Sequence, residues 1–162
     1  MHLHGKRTLN MKKKISLKKI VLLVIIILLV KILSEDDNDI SYDLTGSWKV
    51  IFFINDGKKV TKTDDNTWPD MNNGDITANF TETDSSGKGT IYGVAVSNNY
   101  NGKYTIQENG EISFGPIATT LVSEPEWAKL FKIYLSENFE IRNSRLLMYN
   151  NNKKNIIVFE RN

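Results

Sequence analysis

The side chains that most often do chemistry are scarce in this chain and unevenly placed. His2 and His4 form a His-x-His pair, a spacing able to hold a metal ion. The pair lies in residues 1–10, which read as an extension upstream of a second start at Met11. From Leu44 to Asn162 there is neither histidine nor cysteine. That excludes a Ser–His triad, a Cys–His dyad and a His-ligated zinc site from this part of the chain. Four glutamates, Glu124, Glu126, Glu137 and Glu140, are candidates for paired-carboxylate chemistry. Glu124 and Glu126 have a simpler explanation as acids at the positive end of a helix. Asp70, Asn72, Asn73 and Asp75 around Gly74 miss the twelve-residue calcium pattern, and no bidentate Glu closes it. "SSGKGT" (Ser85–Thr90) lacks the spacing of a phosphate-binding loop. The expectation is a chain with no catalytic residue, no cofactor and no bound metal.

One polar stretch invites a ligand-binding reading: "SNNYNGKY", Ser97–Tyr104. Its asparagines suit tight turns and positive φ. It is therefore read as a strand–turn–strand junction in which Gly102 starts the second strand and Tyr100 and Tyr104 pack inward.

The elements around it are short apolar runs broken by Asn, Gly and Asp, the spacing of an antiparallel sandwich or barrel. Strands are predicted at Ser47–Ile54, Asp75–Thr81, Thr90–Val96, Phe139–Arg142, Arg145–Asn150 and Asn155–Arg161. A further hairpin is predicted across Asn109-Gly110. Thr63–Asp75 reads as a solvated loop. "SEPEWAKLFKIYL" (Ser123–Leu135) predicts the one helix of the body. Ser123 and Glu126 have the spacing of a capping box, and Trp127, Leu130, Phe131, Tyr134 and Leu135 form one apolar stripe.

Upstream, Met11–Leu33 carries five lysines ahead of an unbroken apolar run, Ile20–Val30, with Lys31, Ile32 and Leu33 following. The acids Glu35, Asp36, Asp37 and Asp39 come next. This asymmetry predicts a cytoplasmic N-terminus and a body on the other side of the membrane. The residues after the run suit an uncleaved single-pass signal-anchor, with membrane contact through residues 20–33, better than a cleavage site. Secretion after cleavage is the alternative. Residues 34–43 form an acidic tether, and 44–162 the folded domain. Residues 1–33 hold eight basic residues and no acid, which leaves 13 basic against 19 acidic residues in the remainder. An acidic body argues against nucleic acid as a partner.

The order of motifs resembles the META domain family of the HslJ-like type. The match rests on "LTGSWKV" (Leu44–Val50), with Gly46 and Trp48; on "GVAVSNNYNGKYTI" (Gly93–Ile106), with Gly93, Ser97, Asn98, Gly102 and Tyr104; on Ile112–Leu135, with Thr119, Ser123 and Glu126; and on the closing hairpin Leu146–Arg161. Ser97 and Ser123 stand where the family motifs carry cysteine. The resemblance implies that these two serines lie close together, at positions that a thiol pair would occupy. It also implies a mainly β fold, a small antiparallel β-barrel-like, lipocalin-like domain with one α-helix, here behind an N-terminal hydrophobic helix. Such domains are frequent in exported or membrane-anchored bacterial proteins, and no catalytic activity is implied. The expected function is a non-catalytic, membrane-tethered envelope domain for protein interaction or stress tolerance. The alternative is a lipocalin-like carrier of a small apolar ligand.

Overall fold

A computed structural model of the protein describes residues 40–150 and 153–162. The segment expected to be a membrane anchor, and residues 34–39 of the expected acidic tether, lie outside the described residues. Among the described residues no helix is long and apolar enough to cross a membrane.

The body is one antiparallel sheet curled into a half-barrel. Its strands are β1 (Gly46–Asn55), β2 (Lys58–Thr61), β3 (Ile76–Phe80), β4 (Lys88–Ala95), β5 (Asn98–Ile106), β6 (Ile112–Thr119), β7 (Asn138–Arg142), β8 (Arg145–Asn150) and β9 (Asn155–Arg161). They run in the order β6-β5-β4-β3-β1-β9-β8-β7, with β2 beside the second half of β1. At one end a single bridge, Glu111 to Asn138, joins the two terminal strands. The N-terminal segment adds a second short contact, Ser41 against Ile141 on β7.

Alternation decides which side chains fill the barrel. On β3, Ile76, Ala78 and Phe80 are buried and Thr77 and Asn79 face outward. On β1, Trp48 and Val50 point inward, and a bulge between Val50 and Phe52 restores the phase so that Phe53 is also inside. Trp48, Trp127, Tyr104, Phe139 and Phe159 are among the largest fully buried side chains. They occupy the interior together with Ile76, Ile91, Leu146 and Met148. Edge-to-face ring pairs, Phe53–Trp127 at 4.7 Å and Phe80–Tyr104 at 5.3 Å between centroids, lock this packing.

Three expectations from sequence need correction. The helix is one turn, α1 (Glu126–Lys129), followed by a separate 3-10 turn at Ile133–Leu135, instead of a continuous helix over Ser123–Leu135. Lys132 leaves helical geometry at φ −111°, ψ 55°. Trp127 is buried, while Tyr134 and Leu135 are 53% and 46% exposed, so the apolar stripe does not form. The capping box is also absent: Pro125, not Ser123, is the N-cap, and it makes no side-chain cap. The backbone N–H of Trp127 is taken instead by the Asn66 carbonyl at 2.8 Å. Second, "SNNYNGKY" is not a junction of two strands. All but Ser97 belong to β5, and the turn lies earlier, at Val96-Ser97. Third, β2 has no counterpart among the predicted strands. It forms a hairpin with β1 across Asp56-Gly57, whose φ values of 46° and 77° are those of a tight hairpin turn.

Candidate functional site

The β4–β5 turn is tight, because Ala95 and Asn98 are paired and only Val96 and Ser97 stand between them. Val96 has φ 59° although it is β-branched, a conformation that non-glycine residues rarely take. Its side chain is buried in the core, 2% exposed, and a polar cluster fixes the backbone around it.

Glu124 supplies one half of that cluster. Pro125 restricts Glu124 to an extended backbone, which leaves its side chain outside any helix. Its Oε1 accepts from the Asn98 N–H at 2.9 Å and Asn98 Nδ2 at 2.7 Å, and its Oε2 accepts from the Ser97 N–H at 3.3 Å. Asn98, 6% exposed, supplies the other half. Nδ2 also donates to the Val122 carbonyl at 2.8 Å. Oδ1 accepts from the Val122 N–H at 2.8 Å and the Thr120 hydroxyl at 2.9 Å. The amide thus uses both donor hydrogens and both acceptor positions, its full capacity. Ser97 Oγ donates to the Ser123 carbonyl at 2.7 Å. Residues 120–124 are therefore fastened to the turn at three successive points, Thr120, Val122 and Ser123-Glu124.

This fastening displays apolar side chains. Leu121 is 95% exposed and Val122 55%. An isolated exposed leucine is unremarkable, but this one stands on a backbone pinned by a buried amide and a carboxylate.

Ser97, Asn98 and Ser123 meet here, so the two serines are brought together as expected. Thr119 is adjacent, opposite Tyr100 in the β5–β6 register, but its hydroxyl turns to the Thr120 carbonyl at 3.0 Å. Gly93 lies one layer deeper. A Cβ there would strike the Thr77 carbonyl oxygen and the Tyr100 hydroxyl, and that hydroxyl donates to the same carbonyl at 2.8 Å. Burial pushes the Tyr100 hydroxyl well above the usual tyrosine pKa. Gly102 lies inside β5 under Ile117, not at a strand start. Glu126 is apart from the cluster, on the surface beside Lys129 at 2.5 Å.

Gly46, Trp48 and Tyr104 belong to the other end of the barrel. Gly46 has φ 121° and its missing side chain makes room for the Arg161 guanidinium. Arg161 lies 4.0 Å from the Trp48 ring centroid and donates to the Thr45 carbonyl at 2.6 Å. Trp48 Nε1 donates to the Leu44 carbonyl at 2.9 Å. The Gly-x-Trp motif is thus a cation–π clasp between β1 and β9. The Tyr104 hydroxyl donates to the Thr81 carbonyl at 2.6 Å. Burial, and then the charge of Asp43, raise its pKa to about 12.

These positions are ones a family signature would pick out, and the family model for the META domain matches residues 42–162. The chain belongs to the META domain family. A structural comparison finds the same fold in a DUF4847 family protein from Bacteroides vulgatus, with a TM-score of 0.50 and 14% identity over 73% of this chain and 93% of that one. A sequence comparison with curated proteins gives no match. In this META domain the motif residues do structural work: one set pins the β4–β5 turn and the other clasps β1 to β9.

The candidate acids are engaged separately. Glu124 is held by the turn, Glu126 faces Lys129, Glu137 is exposed, and Glu140 accepts from the Tyr149 hydroxyl and lies 3.5 Å from Arg142. No group of acids that could hold a metal ion occurs among the described residues. Sequence reasoning missed Glu124 as the anchor of the turn, and with it Thr120, Leu121 and Val122. The signal for it was the Glu124-Pro125 step, which directs a carboxylate away from helical geometry.

Proposed function

We propose that this META domain is a non-catalytic interaction module of a bacterial cell envelope. Residues 20–33 hold it to the membrane as a single-pass anchor, with the N-terminus cytoplasmic and the body outside. It presents the Leu121-Val122 knuckle to another envelope protein. The observation that carries this reading is the pairing of a 95% exposed leucine with a fully satisfied buried asparagine beneath it. Ordering the backbone under an exposed side chain lowers the entropy lost when a partner closes over it. The interior packed by Trp48, Trp127 and Phe159 supports a surface role over carriage of a small apolar ligand inside the barrel.

The test is a photo-crosslinking side chain at Leu121 in native membranes. A discrete protein adduct that disappears in Val122→Asp, with the thermal midpoint unchanged, is the expected result. Adducts to lipid or a small molecule alone, or an adduct indifferent to Val122→Asp, would overturn it.

A further inference from the structure

The outer face of β1, β9 and β8 breaks the alternation that governs the rest of the sheet. The register aligns Phe52, Val158 and Leu147 in one row and Ile54, Ile156 and Tyr149 in the next. These side chains lie opposite the core-facing set, yet they are apolar. Phe52, Ile54, Leu147, Ile156 and Val158 line an open groove of about 250 Å³ whose rim includes Arg142 and Arg145; Val158 is buried at its base, and the other four are half-buried. Lys59 lies 4.2 Å from the Phe52 ring centroid and Lys153 lies 5.2 Å from that of Tyr149, so cations flank the apolar rows on both sides.

Charge is divided in the same way. Residues 44–62 and 136–162, which build this half of the sheet, carry nine lysines and arginines against four acids. Residues 63–135 carry four against ten. Two of the acids on the basic face are already matched: Glu160 to Lys49 at 3.5 Å and Glu140 to Arg142 at 3.5 Å. The described chain begins at the edge of this face, where Ser41 bridges to Ile141 beside the Asn143-Ser144 turn. Only residues 34–39 separate Ile40 from the apolar run ending at Leu33, and six residues reach at most about 20 Å.

We propose that this face docks on the bilayer surface itself, with anionic headgroups against Arg145, Lys59 and Lys153 and the apolar rows at the headgroup–acyl boundary. The inference rests on the membrane anchor proposed above. Each basic residue near an anionic surface contributes about 1 kcal/mol, and the short tether keeps the face within reach of that surface. Docking here leaves the Leu121-Val122 knuckle, which follows β6 and is fastened to the β4–β5 turn, away from this face, free for its protein partner.

The chain has no cysteine, so single labelling sites are unambiguous. The full chain is reconstituted in vesicles with Ser144→Cys or Asn101→Cys carrying a fluorophore, and quenching by a water-soluble quencher is measured. Ser144 is in the turn between Asn143 and Arg145, both of which line the groove, and Asn101 is on the outer face of β5, across the sheet. The expected result is quenching at position 144 several-fold below that at 101 in vesicles containing phosphatidylglycerol. The difference should vanish in pure phosphatidylcholine, and Arg145→Gln should weaken docking about fivefold. Equal quenching at the two positions, in a chain that floats with vesicles in high salt, overturns the docking and leaves the anchor standing. A chain that does not float in high salt overturns both. Protection at 144 that is independent of lipid charge overturns the headgroup contact.

Discussion

Replacing Asn98 by alanine removes four hydrogen bonds with one substitution, and the structure says how much each is worth. Three are between neutral groups, to the Val122 carbonyl, the Val122 N–H and the Thr120 hydroxyl, at about 0.5–1.5 kcal/mol each. The fourth, to the Glu124 carboxylate at 2.7 Å, is charge-assisted and worth about 1.5–3 kcal/mol. The full total is not expected. Val122 is 55% exposed, so its backbone groups can turn to water, and Glu124 keeps the Asn98 and Ser97 N–H groups. Asn98→Ala should therefore cost about 2–4 kcal/mol. The assay is urea unfolding followed by tryptophan fluorescence, read as a lower midpoint at an unchanged m-value. Amide exchange at Val122 and Asn98 should accelerate with it. Asn98→Asp is the sharper variant. It keeps the acceptor for Thr120 and Val122 but places a second carboxylate against Glu124, so it should be at least as damaging as alanine. A loss below about 1 kcal/mol in Asn98→Ala, or a milder loss in Asn98→Asp than in Asn98→Ala, would refute the claim that this amide holds the knuckle.

Three further outcomes rest on neighbouring observations. Gly93→Ala drives a methyl group into the Thr77 carbonyl and the Tyr100 hydroxyl, and should cost about 1–3 kcal/mol or more in the same unfolding assay. The Asp84 carboxyl is held below its ordinary value of 3.8 by the Ser86 hydroxyl and by the Lys88 and Ser86 N–H groups. A depressed folded pKa stabilises above the unfolded value and is lost as pH falls through the folded one. Asp84→Asn should thus lower the thermal midpoint at neutral pH, and the difference from the native chain should close as the solution is acidified below 3.8. A double variant, Ser97→Cys with Ser123→Cys, should form a disulfide on mild oxidation, because Ser97 Oγ already touches the Ser123 carbonyl. Loss of two mass units and a raised unfolding midpoint, equivalent to about 3.5 kcal/mol for a loop of this length, would report it.

What was legible in the sequence was what alternation alone determines. β8 and β9 have the predicted bounds and β1 differs by one residue at each end, because each carries enough apolar residues to fix both its period and its inward face. β2 was invisible for the opposite reason: "KKVT" has a single apolar residue and exists only because β1 offers it a partner. The helix is shorter than its pattern because Trp127, Leu130, Phe131, Tyr134 and Leu135 have helical spacing but not helical surroundings. Phe131 is needed between the rings of Tyr100 and Phe159, at 5.3 and 6.5 Å. The site was half legible. The closeness of Ser97 and Ser123 came from the family resemblance. The asparagines of β5 read as turn formers because their local preference is for turns, whereas Asn98 owes its extended state to partners some 22 to 26 residues away.

The position of β9 carries a consequence for biosynthesis. The ninth strand in chain order is a central strand of the sheet, between β1 and β8. The clasp between Arg161 and Thr45 spans 116 residues. A ribosome delivers β1 first among the strands and the one that completes its other side after all the rest. The hydrophobic centre therefore cannot close while the domain is still being made. β1 and β8 must wait without the strand that joins them, with Trp48, Phe53 and Met148 uncovered. Long-range pairing of this kind folds slowly and leaves strand edges open meanwhile. The domain is thus built to stay unfolded until the seven residues of β9 have cleared the ribosome, and a chain cut short before them would lack the keystone of the whole sheet.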